Sequence, residues 1–118
     1  MEIKGTAKLL RIIVGESDKV GHTPLYEVIV KEARARHLAG ATVWRGVLGF
    51  GRTARMRTAK LLDLSSNLPM VIEIVDKEKK MDDFIPVLNE LFEKADSGGL
   101  ITLEKVDVIH YVHGSDGR

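Results

Sequence analysis

The chain has 118 residues, 44% of them hydrophobic and 30% charged, the balance of one soluble globular domain spanning 1–118. Eighteen Lys and Arg against 17 Asp and Glu leave a net charge of +1, which excludes a generic nucleic-acid coat and confines any basic patch to one place. Cysteine is absent, so disulfides, thiolate nucleophiles and Cys-ligated zinc are excluded; no apolar run of signal-peptide or membrane-spanning length occurs, and the expectation is a cytoplasmic protein without membrane insertion.

Ala7 to Val14 is β-branched toward its end, closed by Gly15, and reads as a buried strand. Glu16 to Gly21 reads as a loop. Thr23-Pro24 then predicts a helix start, with Thr23 as N-cap and Pro24 at the first helical position. Leu25, Val28, Ile29, Ala33 and Leu38 mark its apolar face, and Gly40 is its expected C-terminal cap. Ala41 to Leu48 predicts a second strand, weakened at Gly46. No clean period follows Gly49-Phe50-Gly51 until Leu68-Pro69 opens a third strand, Met70 to Val75. Met81, Phe84, Ile85, Leu88, Leu91, Phe92 and Ala95 form a second helical stripe. Pro86 implies that this helix starts near Asp82 or is kinked, with Asp82 and Asp83 as its cap. Ser97-Gly98-Gly99 breaks the chain before a last strand from Leu100 to about Val112, where a change of phase suggests a bulge near Glu104. Residues 113–118 read as a tail.

The order β-α-β-β-α-β with right-handed crossovers is that of an α+β ferredoxin-like sandwich: a four-stranded antiparallel sheet with two helices on one face. The other face needs a cover. Val43, Ile72, Ile74 and Val108 are the candidates for that second apolar face, and an oligomer is expected to bury it.

Arg45, Arg52, Arg55, Arg57 and Lys60 lie together with no carboxylate before Asp63, interleaved with Gly46, Gly49 and Gly51. Glycine lets a backbone approach an anion and arginine forks match phosphate oxygens, so the cluster suits a phosphate-bearing small molecule. The competing reading is that the glycines shape a turn and the arginines solvate an exposed loop. Trp44 could cover a base or pack at an interface. Glu73, if it points inward at a subunit boundary, needs a cationic partner. His110 and His113 are three apart on a strand and so on opposite faces, a poor chelating pair, and no metal site is assigned. Ser65 and Ser66 have no elbow motif or nearby histidine; no catalytic residue is assigned. The sheet lacks the aromatic platform that RNA recognition requires.

Gly40-Ala41-Thr42-Val43 followed by Gly49-Phe50-Gly51-Arg52 resembles the second strand and T-loop base of the PII signalling proteins. Gly15-Glu16-Ser17-Asp18-Lys19, Pro24 to Glu27, Arg45-Gly46, Leu68-Pro69 and Glu73 to Asp76 narrow the resemblance to the prokaryotic PII-like family of unknown function. It implies a homotrimer holding an adenine nucleotide in clefts between subunits, with Gly49, Gly51 and Arg52 at the T-loop base on one side of the site; the local glycine and arginine cluster adds Arg45, Gly46 and Phe50 there, with Arg55 and Arg57 as further cations if the loop folds over. Ser97, Gly98 and Gly99 would wrap the phosphates. It also implies a non-enzymatic signalling role, with loop 49–67 as the effector loop for an unidentified protein target.

Four departures qualify the resemblance. Leu100 follows Gly99 where PII proteins carry a lysine, and His110 and His113 stand where they carry arginines. Fewer fixed cations favour AMP or ADP over ATP, with no metal required. Thr53 follows Arg52 in place of the glutamine that helps bind 2-oxoglutarate, and 53–67 holds no tyrosine for modification. The alternative is a trimeric metal-binding protein of the CutA type, which shares the topology.

Overall fold

The computed structural model describes residues 5–51, 56–58 and 67–112. In chain order the elements are β1 (Gly5–Gly15), β2 (Lys19–Val20), β3 (Thr23–Pro24), α1 (Leu25–Ala35), β4 (Thr42–Arg45), β5 (Leu48–Gly49), β6 (Arg57–Thr58), β7 (Pro69–Asp76), α2 (Glu78–Ala95) and β8 (Leu100–Val108). The four long strands form one antiparallel sheet in the order β4-β7-β1-β8, with β1 and β7 central. This is the ferredoxin-like α+β arrangement that the order of elements predicts.

Leu10, Ile12 and Val14 of β1 and Met70, Ile72 and Ile74 of β7 meet Leu25, Ile29 and Ala33 of α1 and Met81, Phe84, Leu88 and Leu91 of α2 in one buried core. The alternation in β7 is complete along its length, which is why one face of it is dry and the other only half-buried. Ile72 and Ile74 therefore belong to the helix side, as does Val43, which packs against the same core; of the four residues expected on the open face only Val108 lies there. Register assigns that face instead to Leu9, Arg11 and Ile13, to Val71, Glu73 and Val75, to Thr42 and Trp44, and to alternate residues of β8 from Leu100 to Val108.

Several local expectations are corrected. β8 pairs with β1 without a bulge from Leu100 to Val108; its phase change reflects apolar residues on both faces. The second strand ends at Arg45, because Gly46 closes on Pro69 and the chain leaves the sheet there. Lys19–Val20, inside the expected loop, pairs with Thr23–Pro24, expected to open the helix, so Pro24 rather than Thr23 immediately precedes the helix. α1 ends before Gly40: His37 takes the left-handed conformation (φ 61°), its N–H bonds to Arg34 O at 3.1 Å and the N–H of Leu38 to Ala33 O at 3.0 Å. α2 begins at Glu78 and contains Pro86, so Asp82 and Asp83 lie inside it and do not cap it.

Asp76 is fully buried where β7 ends. Its Oδ2 accepts the Ala39 N–H at 2.9 Å and its Oδ1 the Lys77 N–H at 2.7 Å, so one carboxylate ties the approach to β4 to the start of α2. A buried backbone donor left without an acceptor is costly. Asp76→Ala is expected to cost about 2–4 kcal/mol in urea unfolding, with Asp76→Asn recovering part of the loss; equal stability of Asp76→Ala and the parent would contradict this role.

Candidate functional site

Strand register brings the two glycine-bearing segments to one end of the sheet. Gly15 of β1 faces Pro69 of β7, Arg45 of β4 faces Met70, and Ile13 of β1 faces Leu100 of β8. Arg45 to Gly51 therefore leaves from the β4 edge and Ser97 to Gly99 arrives at the β8 edge, with β7 and β1 between them. Three strand spacings separate the edges by roughly 14 Å. Within one protomer the two segments share an end and do not meet.

At the β4 edge the Gly46 N–H donates to Pro69 O at 2.7 Å, and a Cβ on Gly46 would lie 2.7 Å from the Pro69 ring. Glycine is required there by close approach. Leu48 and Gly49 pair with Thr58 and Arg57 in a short hairpin, Phe50 is 67% exposed, and Gly51 has open space around it. The Arg45 guanidinium is paired to Glu16, Nη2 to Oε2 at 2.9 Å. Arg52 and Arg55 lie outside the described residues, as does the side chain of Arg57.

At the β8 edge Asp96 takes the left-handed position (φ 51°) after α2, its N–H bonding to Glu93 O and that of Ser97 to Phe92 O. The Ser97 hydroxyl donates to Asp18 Oδ2 at 3.0 Å, and the same oxygen accepts the Gly15 N–H at 2.8 Å. A Cβ on Gly99 would collide with the Ile13 carbonyl, so this loop runs hard against β1. The segment follows the C-terminus of α2. The helix dipole there opposes an anion, unlike the helix N-terminus of most phosphate loops.

The open face carries a second cluster. Arg11 Nε and Nη2 both donate to Glu73 Oε2, at 3.0 and 2.8 Å, and the Trp44 indole N–H donates to Glu73 Oε1 at 2.7 Å. Arg11 Nη1 reaches Glu104 at 3.5 Å. These bonds hold the Glu73 carboxyl below its ordinary pKa, the Arg11 hydrogen bonds first and the Trp44 bond next, against a smaller opposing effect of burial. Glu73 and Trp44 of this cluster also line a concavity of about 660 Å³ that runs from Leu9 and Val75 to Ala39–Thr42 and Val108–Tyr111, where the Tyr111 hydroxyl bonds to Ala39 O. Among the described residues no group of three or more His, Asp or Glu is placed to hold a metal, and no helix is long and apolar enough to cross a membrane.

Arg11, Glu16, Asp18 and Glu104 were not singled out by their residue chemistry. Arg11 carries the one available signal, a cation inside the apolar run Leu9 to Val14 and in the same phase as Glu73 across the ladder.

Residues 7–108 match the family DUF190, described as Uncharacterized ACR, COG1993. A UPF0166 protein of Aquifex aeolicus is 42% identical over 103 residues, 87% of this chain and 93% of its own length. UPF0166 protein MJ1524 of Methanocaldococcus jannaschii is 34% identical over 97 residues, 82% and 86% of the two chains. Among solved structures, CPII from Thiomonas intermedia K12, a nitrogen regulatory PII-like protein bound to ADP, AMP and bicarbonate, superposes with a TM-score of 0.68 at 17% identity, covering 89% of this chain and 90% of its own. A putative PII-like signalling protein from Thermus thermophilus gives a TM-score of 0.66 at 18% identity, covering 89% and 91%. At these identities the likeness is one of fold.

A carboxylate whose folded pKa lies below the ordinary 4.5 stabilises the fold above that pH, and the contribution is lost as pH falls through the lowered value. The stability advantage of the parent over Glu73→Gln is expected to be full near neutrality and to shrink as pH drops below 4.5, read by fluorescence of the single tryptophan, Trp44. A difference independent of pH would sink the assignment.

Proposed function

The chain belongs to the DUF190 family, and we propose that it is a non-enzymatic PII-like regulatory protein that binds an adenine nucleotide between the subunits of a homotrimer. The observation that carries this reading is the position of the two glycine segments, at one end of the sheet but on opposite edges. A second copy set beside the first brings the β8-edge segment of one protomer to the β4-edge segment of its neighbour. The site is then completed only by assembly. Kinship of fold with CPII, itself bound to ADP and AMP, favours an adenylate as the occupant.

The open sheet face supports the assembly. Leu9, Ile13, Val71, Val75, Val106 and Val108 are half-buried on it, and Trp44 and Leu100 are more than half exposed, at 58% and 54%. That is a core-like surface awaiting a partner, and a copy of the same chain supplies an equivalent one.

In this reading Gly46, Gly49, Phe50, Gly51 and Arg52 approach the nucleotide from one copy, with Arg45, Arg55 and Arg57 as further cations, while Ser97, Gly98 and Gly99 meet its phosphates from the other. AMP or ADP is favoured over ATP, because the Arg45 charge is already matched by Glu16 and the phosphate loop follows the C-terminus of α2; in this reading a short phosphate chain binds without a metal. Binding orders loop 49–67 and changes what protein target it can dock. The site is cytoplasmic in this scheme. The metal-binding alternative gains no support from the described residues.

Calorimetric titration with AMP, ADP and ATP tests the reading. Arg52→Ala is expected to weaken adenylate binding by about ten- to a hundredfold while light scattering still gives a trimer. A monomeric protein, or one indifferent to every adenylate at millimolar concentration, would overturn it.

A further inference from the structure

We propose that Glu16 and Asp18 select the phosphate chain length of the bound nucleotide, admitting a monophosphate and penalising a triphosphate. The inference rests on the nucleotide reading above and adds the residues that would set its selectivity.

The turn after β1 stands between the two glycine segments and sends one carboxylate to each. Glu16 lies 2.9 Å from the Arg45 guanidinium, and Asp18 Oδ2 takes the Ser97 hydroxyl proton at 3.0 Å. Serine has one hydroxyl proton, so Ser97 cannot donate to a phosphate while it donates to Asp18. Arg45 likewise meets a phosphate only in competition with Glu16. The two described side chains on which a phosphate would draw, Arg45 and Ser97, are thus each already bonded to a carboxylate.

The turn that carries these carboxylates is tied down along its backbone. The Glu16 N–H bonds to Leu68 O at 2.8 Å, the Ser17 N–H to Asn67 Oδ1 at 2.6 Å, and the Asp18 N–H to Gly15 O at 3.1 Å. The Leu25 N–H at the start of α1 bonds to the Asp18 carbonyl at 2.7 Å. Asp18 is bound a further time through the Gly15 N–H. The Asp18 charge is therefore held in place and the Glu16 charge is anchored beside Arg45 at its backbone before any ligand arrives, and negative charge placed in this way discriminates by the number of charges it meets. A triphosphate carries more negative charge than a monophosphate and is repelled more.

The test compares AMP, ADP and ATP on the parent, Glu16→Gln and Asp18→Asn by calorimetry, with and without magnesium. Asn at position 18 keeps a carbonyl oxygen for the Gly15 N–H and the Ser97 hydroxyl, and Glu16→Gln provides an independent variant should Asp18→Asn fail to fold. In each variant the affinity for ATP is expected to rise relative to that for AMP by about tenfold, a gain that shrinks in high salt. Adenylate binding with an unchanged ATP-to-AMP ratio in both variants would overturn the selectivity assignment and leave the nucleotide reading intact. Loss of ATP binding in Asp18→Asn only when magnesium is present would overturn it too, by making Asp18 a ligand to a phosphate-bound cation. A parent protein that binds no adenylate would overturn both readings.

Discussion

Glu73 sits near the middle of the sheet face that no helix covers, with Arg11 on one carboxylate oxygen and the Trp44 indole on the other. Two helices suffice to bury one side of four strands, and the remaining side is lined with valine, leucine and isoleucine. A charge on such a face is tolerable only if its bonds are supplied from within the same protomer before a partner removes the water. The three side chains come from β7, β1 and β4, so the cluster stitches three strands of the sheet through their open side while the apolar core stitches them through the other. A face prepared in this way is consistent with an interface and with the assembly-dependent site proposed above.

The order of long elements and the stripes of both helices were legible because each obeys a single period. Met81, Phe84, Leu88 and Leu91 are buried as their spacing requires. The two faces of the sheet were not legible, since β1 and β7 carry apolar residues in both phases and only the register between strands says which phase meets the helices. The same ambiguity made β8 look bulged. The helix ends misled for another reason: His37 and Asp96 occupy left-handed positions that glycine more commonly fills, and α2 starts without a side-chain cap. The break after Arg45 depends on Pro69, distant in sequence, and could not be read locally.

For the candidate site, the glycine segments were legible and the end of the sheet they share was not. The ferredoxin-like order sets the second and last long strands at opposite edges, and the register adds that both segments lie at the same end of the sheet. The acidic turn at Glu16 to Asp18 was equally opaque, because isolated carboxylates in a short polar segment have no pattern until Arg45 and Ser97 are brought beside them.

Pro69 has no amide hydrogen, and Gly46 is its last neighbour before the chain peels from the β4 edge. The ladder ends there by chemistry, since β7 offers no further donor at that residue. Val47, Leu48 and Phe50 are all more than half exposed past this departure point, so their side chains serve the surface rather than the core.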